Sequence, residues 1–411
     1  MTVLLLLALA GGIQAQNHTE DFLISGSSIQ LLKGTGAFTK LYENPGTAHG
    51  IVNDIDNKLI VFAEGSNKGM FRLDPGTGLW TTILVDTTVF DYPTEITIDH
   101  HGDYIIASSD PSYTYGLYRL SGTTLTTIIT TVTMGLQGKF TGGLVRDVDT
   151  GNFVLQMYGG SSGPHPMISI APDGTFTTII ANYCTLGGPR YQITQDMRTG
   201  DFYVGGNDSA QGFLVQVTKG GTSTVVATST DRFAFNVLAA DRASSTAPRL
   251  VHPYIKNLYY TDLKTSTVTS VAVTGSSVSP RGITFSRGRN LQTVLTAPKK
   301  YALNFSFPTF PGKGYAAGLT LSGMRPGITL TDGRSIPANL DWLLVMTVNN
   351  GFQPIFVPGP GILDANGEAK GSMDLSTLPA LGIPVHLVAV VLDSTASLGI
   401  AAIADPWVMV L

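Results

Sequence analysis

Charged residues are scarce in this 411-residue chain. Asp, Glu, Lys and Arg together make up 13% of the sequence, about half the share that is usual in soluble domains. The formal net charge is only −4, and the sequence has no run of like charges and no basic patch. This composition argues against a nucleic acid as partner.

Cysteine and long apolar runs are also nearly absent. Cys184 is the only cysteine, so neither an internal disulfide nor a multi-cysteine metal site can form. The apolar run from Val3 to Ala10 is too short to span a bilayer, and we predict no transmembrane segment. Small residues follow this run, which predicts a signal peptide at residues 1–15, although no Lys or Arg precedes Lys33. We therefore expect a secreted protein, extracellular or periplasmic.

Glycine, by contrast, is abundant, with 47 residues, and Ser and Thr are frequent. This composition is typical of short strands joined by tight turns. A unit of four short strands recurs with starts spaced by 45, 48, 49, 45 and 45 residues. The six units begin at His49, Thr94, Gly142, Tyr191, Asn236 and Arg281. A period of this length with four strands per unit predicts the blades of a β-propeller.

The sixth unit contains only two strand-like segments, "RGITF" and "LQTVLTA". The N-terminal segment "IQLLKGTGAFTKLY", residues 29–42, aligns with the outer hairpin "FRLDPGTGLWTTIL" of the first unit, residues 71–84. We predict that this N-terminal hairpin closes the last blade, since closure removes an exposed sheet edge. The predicted fold class is all-β, with a six-bladed β-propeller at residues 27–298.

The repeat ends after Pro298. Prolines punctuate strands of uneven length, and runs such as "VHLVAVVLD" alternate in polarity. We predict an antiparallel β-sandwich at residues 299–411.

The repeated units resemble the propellers of streptogramin lyases and NHL-like proteins. The "GI…D…G" opening and the "LYRL…TTL" second half of each unit carry this resemblance. For streptogramin lyases it implies a magnesium-assisted elimination that uses a His and acidic residues on one propeller face. No matching His-x-Glu cluster occurs here, so the activity is not transferred.

The last 110 or so residues resemble a C-terminal β-sandwich module of secreted bacterial proteins. The resemblance is carried by "FPGKGYAAGLTLSG", "PGITLTDGRSIP" and "IADPWVMVL". It implies structural support or surface attachment rather than chemistry.

The start of each innermost strand should lie at the mouth of the central channel. Alignment of the units places unlike polar residues there and in the neighbouring loops. The predicted ligand-binding residues are His49, Glu95, Arg190, Tyr191, Asn236, Arg281 and His252. His100 and His101, at the opposite end of an inner strand, are expected to form a solvated turn.

Several kinds of site fit this pattern. Arg190 and Arg281 with His49 could hold a carboxylate, phosphate or sugar acid, because arginine binds anions bidentately. Oxygen ligands from Glu95, Asn236 and Asp208 could instead hold Ca²⁺, as in gluconolactonase-type propellers, or Mg²⁺.

Two further interpretations fit the same residues. His49, His165 and His252 could bind a transition metal if three loops converge. Finally, the polar residues could simply solvate a water-filled channel.

The functional prediction is a secreted propeller that binds a small anionic or carbohydrate-like ligand, or another extracellular protein. One alternative is a lyase or lactone hydrolase with His49 as base and Glu95 as acid or metal ligand. A second alternative is an extracellular scaffold without chemistry.

Overall fold

The computed structural model describes residues 22–410 apart from short gaps. The gaps are residues 27, 33–36, 55–58, 65–67, 76, 87, 160–162, 185–187, 209, 232–234, 236–238, 242–248, 255–256, 264, 273, 275–280, 286–290, 333, 350–352, 358, 378 and 380–381. The predicted signal peptide lies outside the described residues.

Within the described residues, the first 285 positions form six four-stranded antiparallel sheets. The chain opens with β1 (Phe22–Ser25), β2 (Ser28–Leu32) and β3 (Phe38–Glu43). Blade 1 contains β4 (Thr47–Asn53), β5 (Leu59–Glu64), β6 (Gly69–Leu73) and β7 (Trp80–Val85). Blade 2 contains β8 (Glu95–Ile98), β9 (Tyr104–Ser109), β10 (Tyr115–Ser121) and β11 (Thr124–Thr130). Blade 3 contains β12 (Phe140–Arg146), β13 (Phe153–Tyr158), β14 (Met167–Ile170) and β15 (Phe176–Ile180).

The remaining blades continue the pattern. Blade 4 contains β16 (Gly188–Gln195), β17 (Phe202–Asn207), β18 (Gly212–Val217) and β19 (Ser223–Ser229). Blade 5 contains β20 (Ala239–Asp241), β21 (Arg249–Tyr254), β22 (Asn257–Asp262) and β23 (Thr267–Ala272). Blade 6 consists of β24 (Gly282–Phe285) followed outward by β1, β2 and β3. The fold is thus a six-bladed β-propeller closed by its N-terminal strands.

The ring closes with one more N-terminal strand than the sequence predicts. Ser25 pairs with Gly282 and Phe22 with Phe285, so β1 occupies the position expected for "LQTVLTA". That segment, Leu291–Ala297, pairs instead with Lys300–Ser306 in the C-terminal part of the chain. The reason is burial, because Leu291 is 2% exposed within the C-terminal core. This pairing moves the strand across the predicted boundary at residue 298.

A recurring aspartate explains the "D…G" signature of the units. Asp54, Asp99, Asp147 and Asp196 each follow an innermost strand and are buried. Asp99 Oδ1, for example, accepts the backbone N–H groups of His101 (2.8 Å) and Asp103 (3.0 Å). These aspartates therefore fix the turn between the first and second strands of a blade.

The C-terminal part is a β-sandwich of two sheets. One sheet has the order β25 (Leu291–Ala297), β26 (Lys300–Ser306), β32 (Glu368–Asp374), β30 (Phe356–Val357). The other has the order β31 (Pro360–Ile362), β27 (Gly314–Thr320), β33 (Pro384–Leu392), β34 (Ile400–Ile403), with β35 (Trp407–Val410) also paired to β33. Alternate residues of the facing strands form the core, and the rings of Phe305 and Tyr315 lie 5.2 Å apart across it.

A two-stranded hairpin, β28 (Ile328–Thr329) and β29 (Ser335–Ile336), one α-helix and a short 3₁₀ helix (Ser397–Gly399) complete the described sandwich. The helix, α1 (Trp342–Val348), begins where Asp341 caps the N–H of Leu344 at 2.8 Å. It packs on β27, where the hydroxyl of Thr347 accepts the N–H of Leu319 at 2.9 Å. Within the described part of the chain, no helix combines the length and apolar character needed to cross a membrane.

The sandwich docks on the propeller face that carries the aspartate turns. Arg146 donates to the carbonyl of Val408, and its guanidinium lies 4.9 Å from the centre of the Trp407 ring. Thr293 Oγ1 donates to the carbonyl of His100 at 2.7 Å. The expected solvated turn is therefore wrong, because His100 is 4% exposed beneath the sandwich.

Candidate functional site

The innermost strands are irregular where they begin, on the face opposite the docked sandwich. Register shifts lie between Ala48 and Ile51 in β4 and between Thr141 and Leu144 in β12. A third lies between Pro189 and Ile193 in β16. Such bulges re-aim side chains and are frequent beside functional sites. We call the starts of the six innermost strands the channel mouth.

An arginine and a histidine meet at the mouth, between blades 6 and 1. Arg281 Nη1 donates to His49 Nε2 at 2.9 Å. His49 is 3% exposed, whereas Arg281 is exposed. Since a guanidinium can only donate, Nε2 is an acceptor and the imidazole is neutral, with its proton on Nδ1. The ring of Tyr92 lies 5.7 Å from that of His49.

A buried carboxyl lies close to Gly50, the residue that follows His49. Glu95 is 6% exposed, and a Cβ built on Gly50, next to His49, would lie 3.1 Å from Glu95 Oε1. Oε1 accepts the N–H of Ile96 at 3.2 Å, and Oε2 accepts Gln192 Nε2 at 3.0 Å. Burial raises the pKa of the Glu95 carboxyl to about 8, although these two hydrogen bonds partly oppose the shift. Glu95 is therefore mostly protonated and uncharged at neutral pH.

Gln192 is a site residue that the sequence interpretation missed. It comes from blade 4, whereas Glu95 comes from blade 2, so the two side chains meet across the start of blade 3. A signal was present, because both residues directly precede the first aliphatic residue of their units. Gly50 and Gly143 occupy the same position in blades 1 and 3, and their lack of side chains leaves space for the pair.

Two threonines connect blades 2 and 3 at the mouth. Thr94 Oγ1 lies 3.1 Å from Thr141 Oγ1, and both residues are 3% exposed. Thr94 precedes Glu95 in the chain, and Thr141 follows the half-exposed Phe140. The hydroxyl contact thus joins blade 2 to blade 3 at the channel mouth.

The other predicted ligand-binding residues have different settings. His252 is fully buried inside blade 5, with Nε2 2.8 Å from Thr261 Oγ1 and its ring stacked 5.5 Å from Tyr259. This environment is that of a core histidine and does not fit the predicted role in binding. The side chains of Arg190 and Tyr191, and all of Asn236, lie outside the described residues.

The described residues do not supply the predicted metal ligands at Glu95. Its two oxygens face N–H donors rather than further oxygen ligands. Asp208 Oδ1 accepts the N–H groups of Ala210 (2.7 Å) and Gln211 (2.8 Å) in its own turn. Among the residues that the structure describes, Glu95 therefore has no carboxylate-rich donor set of the kind that Ca²⁺ or Mg²⁺ prefers.

One group of three potential metal ligands occurs in the described part of the chain. The ligand atoms of Asp99, His101 and Asp103 lie within 4.8 Å of one another. Arg119 Nε is 3.5 Å from Asp99 Oδ2 and 4.0 Å from Asp103 Oδ2, so a guanidinium already balances these carboxylates. The group does not include His49, His165 or His252, which the three-histidine alternative requires.

Neither a protein-family model nor a curated protein matches the sequence. Solved structures with similar folds include a protein of unknown function from Bacteroides caccae. It is 13% identical, with a TM-score of 0.46, covering 64% of this chain and 98% of that one. A proposed 6-phosphogluconolactonase from Bacteroides fragilis is 12% identical, with a TM-score of 0.45, covering 66% of this chain and 99% of that one.

The whole chain is matched by the extracellular domain of a proposed one-component system from B. thetaiotaomicron. The identity is 12% and the TM-score 0.42, covering 99% of this chain and 57% of that one. Similarity at this level of identity and TM-score does not allow an activity to be transferred to this chain. The strand pairing shows a β-propeller followed by a β-sandwich, and the comparisons assign the chain to no family.

Proposed function

We propose that the propeller binds a small carboxylated ligand at the channel mouth. The observation that carries this proposal is the exposed guanidinium of Arg281, held on neutral His49 at a channel mouth where the carboxyl of Glu95 is uncharged. A guanidinium has five N–H donors, and the contact with His49 uses one at Nη1. The planar fork suits a carboxylate, which it can bind through two parallel hydrogen bonds.

Electrostatics support an anion rather than a cation at this position. Glu95 carries no charge over most of the neutral range, because burial raises its pKa to about 8. Its neighbours Ile96 and Gln192 present N–H groups, which are also neutral. Arg281 supplies a positive charge at the channel mouth, and a carboxylate bound there meets no repulsion from Glu95 until that carboxyl ionises.

A lactone hydrolase is the second candidate, favoured by the same carboxyl. A protonated buried Glu is suited to donate a proton to a leaving oxygen. The predicted role of His49 as general base is less well supported, because its Nε2 lone pair already accepts from Arg281. An acid role for Glu95 is the form of the enzyme proposal that the geometry supports best. The streptogramin lyase or NHL-like assignment is not needed for either proposal.

Binding of D-galacturonate, compared with D-galactose, tests the proposal, since the two differ only in the C6 carboxylate. We expect calorimetry to show preference for galacturonate, and Arg281→Gln to weaken its binding at least tenfold. Affinity should also fall as the pH rises through 8, because ionised Glu95 repels the carboxylate. Arg198→Gln is the matched control, an exposed arginine on the opposite face, and it should bind as wild type does.

Equal affinity for the two sugars, or full binding by Arg281→Gln, would contradict the proposal. If the wild-type protein instead hydrolyses galactonolactone and Glu95→Gln abolishes turnover, the enzyme candidate is favoured. Absence of both binding and turnover would favour the scaffold alternative.

A further inference from the structure

A row of aromatic rings crosses the surface of blades 2 and 3 at the channel mouth. We call Tyr115, Phe140, Tyr158 and His165 the aromatic strip. The centroids of Tyr115 and Phe140 are 5.3 Å apart in an edge-to-face contact, and those of Phe140 and Tyr158 are 6.2 Å apart. Tyr158 stacks on His165 at 5.4 Å with an angle of 4° between the rings.

The ends of the strip are buried and its centre is exposed. Tyr115 and His165 are each 3% exposed, whereas Phe140 is 40% exposed and Tyr158 is half-buried. His165 is fixed further, because its Nδ1 accepts the N–H of Gly159 at 3.2 Å. The exposed ring of Phe140 is therefore held between anchored neighbours, which lowers the entropy cost of binding against it.

The position of Phe140 separates it from ordinary surface aromatics. Phe140 opens the innermost strand of blade 3 and pairs directly with Tyr158 across the sheet. Phe176 is exposed to a similar extent, 38%, but it lies on the outermost strand of the same blade. Single exposed apolar residues such as Phe176 are common and need no function. Phe140 instead lies at the channel mouth, next in the chain to Thr141, whose hydroxyl contacts that of Thr94.

We infer that the aromatic strip is a stacking subsite for a sugar ring, so that the carboxylated ligand is an acidic oligosaccharide. The face of an aromatic ring carries negative charge density, which attracts the weakly positive C–H groups on one face of a pyranose. The ammonium of Lys139, the residue before Phe140, donates to the carbonyl of Pro164 at 3.1 Å, and its other N–H groups can donate to sugar hydroxyls.

The Arg281–His49 pair and the aromatic strip belong to different blades, so a ligand that contacts both must be longer than one sugar. Arg281 and His49 belong to blades 6 and 1, whereas the strip belongs to blades 2 and 3. Glu95 and the two threonines lie between them. A uronic acid with its carboxylate on Arg281 would therefore place a neighbouring sugar, not itself, on Phe140. This inference rests on the proposed function and adds the class of ligand.

The test compares tri-galacturonate with D-galacturonate by calorimetry. We expect wild type to bind the trisaccharide at least tenfold more tightly than the monosaccharide. Phe140→Ala should reduce that ratio to about one, and Phe140→Leu should do the same while keeping apolar contact with Tyr115. Phe176→Ala, the matched control on the outer strand, should keep the wild-type ratio. Thermal unfolding of each variant identifies any that fail to fold, and Phe140→Leu decides the outcome if Phe140→Ala is unstable.

The outcomes separate this inference from the proposed function. If the monosaccharide binds but the trisaccharide gains nothing, the strip is not a subsite while Arg281 still is. The same conclusion follows if both Phe140 variants keep the wild-type ratio. If neither galacturonate nor tri-galacturonate binds, both proposals fall.

Discussion

Glu95 differs from the other buried carboxylates in the groups that surround its carboxyl. Asp54 has Arg72 at 2.7 Å and the hydroxyl of Tyr104 at 2.8 Å, and Asp147 has Lys219 at 2.9 Å. These aspartates have cations beside them and hold turns, so their role is architectural. Glu95 is hydrogen-bonded by neutral groups and has a pKa raised to about 8. A carboxyl of this kind is costly to ionise and is more frequent at functional sites.

This difference predicts how stability depends on pH. Between pH 4.5 and about 8 the folded state keeps a proton on Glu95 that the unfolded state has lost. The contribution of Glu95 to the free energy of unfolding therefore falls as the pH rises, by about 1.4 kcal/mol per unit within this window. Glu95→Gln should remove this part of the pH dependence. Urea unfolding of the variant and of the wild type at pH 5.5 and pH 7.5 should therefore give a smaller difference in the free energy of unfolding for the variant. The amide of Gln192 can turn to suit the new side chain.

Glu43→Gln is the control for this experiment, because the side chain of Glu43 is 71% exposed. It should preserve the wild-type difference between the two pH values. If Glu95→Gln also preserves that difference, Glu95 is ionised in the folded protein and the electrostatic support for anion binding is lost.

At the scale of elements, the repeat predicted most of the propeller. The spacing of the units and the aspartate turn are local features of the sequence, so they were visible without a structure. β1 was missed because four residues, "FLIS", are too few to show a strand pattern. The bulges and the Glu95–Gln192 contact were not visible either, since they depend on which residues of different blades meet at the axis.

The bulge in β12 leads to a prediction about packing. A Cβ on Gly143 would lie 2.4 Å from the backbone nitrogen of Ile193 and 2.9 Å from the Cα of Gln192. Because backbone atoms cannot swing aside, Gly143→Ala should push β12 and β16 apart and lower the free energy of unfolding by about 2–3 kcal/mol. Urea unfolding of the variant and of the wild-type protein measures this difference.

Gly220→Ala is the comparison, since its nearest neighbour would be the hydroxyl of Thr218 at 3.8 Å. It should change the free energy of unfolding by less than about 0.5 kcal/mol. Equal stability of the two variants would mean that blades 3 and 4 are not in close contact at the mouth.

At the scale of the molecule, the sandwich and the propeller form a common interface. The hydroxyl of Thr293 in the sandwich donates to the carbonyl of His100 in the propeller at 2.7 Å, and His386 Nε2 lies 3.2 Å from the carbonyl of Asp149. Burial lowers the pKa of His386 to about 4, so the imidazole is neutral there. The sequence could not predict this docking, because it depends on the match between two finished surfaces. The sandwich docks on the face with the aspartate turns, and the channel mouth lies on the opposite face.

Removal of Arg146 should uncouple the two domains. Arg146→Ala removes the guanidinium from the face of Trp407 and the donor from the carbonyl of Val408. We expect a loss of about 2–4 kcal/mol and, in calorimetry at pH 7, two unfolding transitions in place of one. Arg198→Ala, whose partner Asp196 is in its own turn, should unfold as wild type does. A single unchanged transition for Arg146→Ala would show that the interface does not couple the domains.

The ring closure has a consequence for the order in which the protein is made and folds. β1 leaves the ribosome early, but its partner β24 follows only after blades 1 to 5 have been synthesised. Until then β1 is an open strand edge, and such edges are where nascent chains aggregate. Arg281 lies at this seam, with its backbone N–H donating to the carbonyl of Ser25 at 2.8 Å. The Arg281–His49 pair is therefore among the last contacts to form, and ligand binding there would distinguish closed rings from chains that stalled before closure.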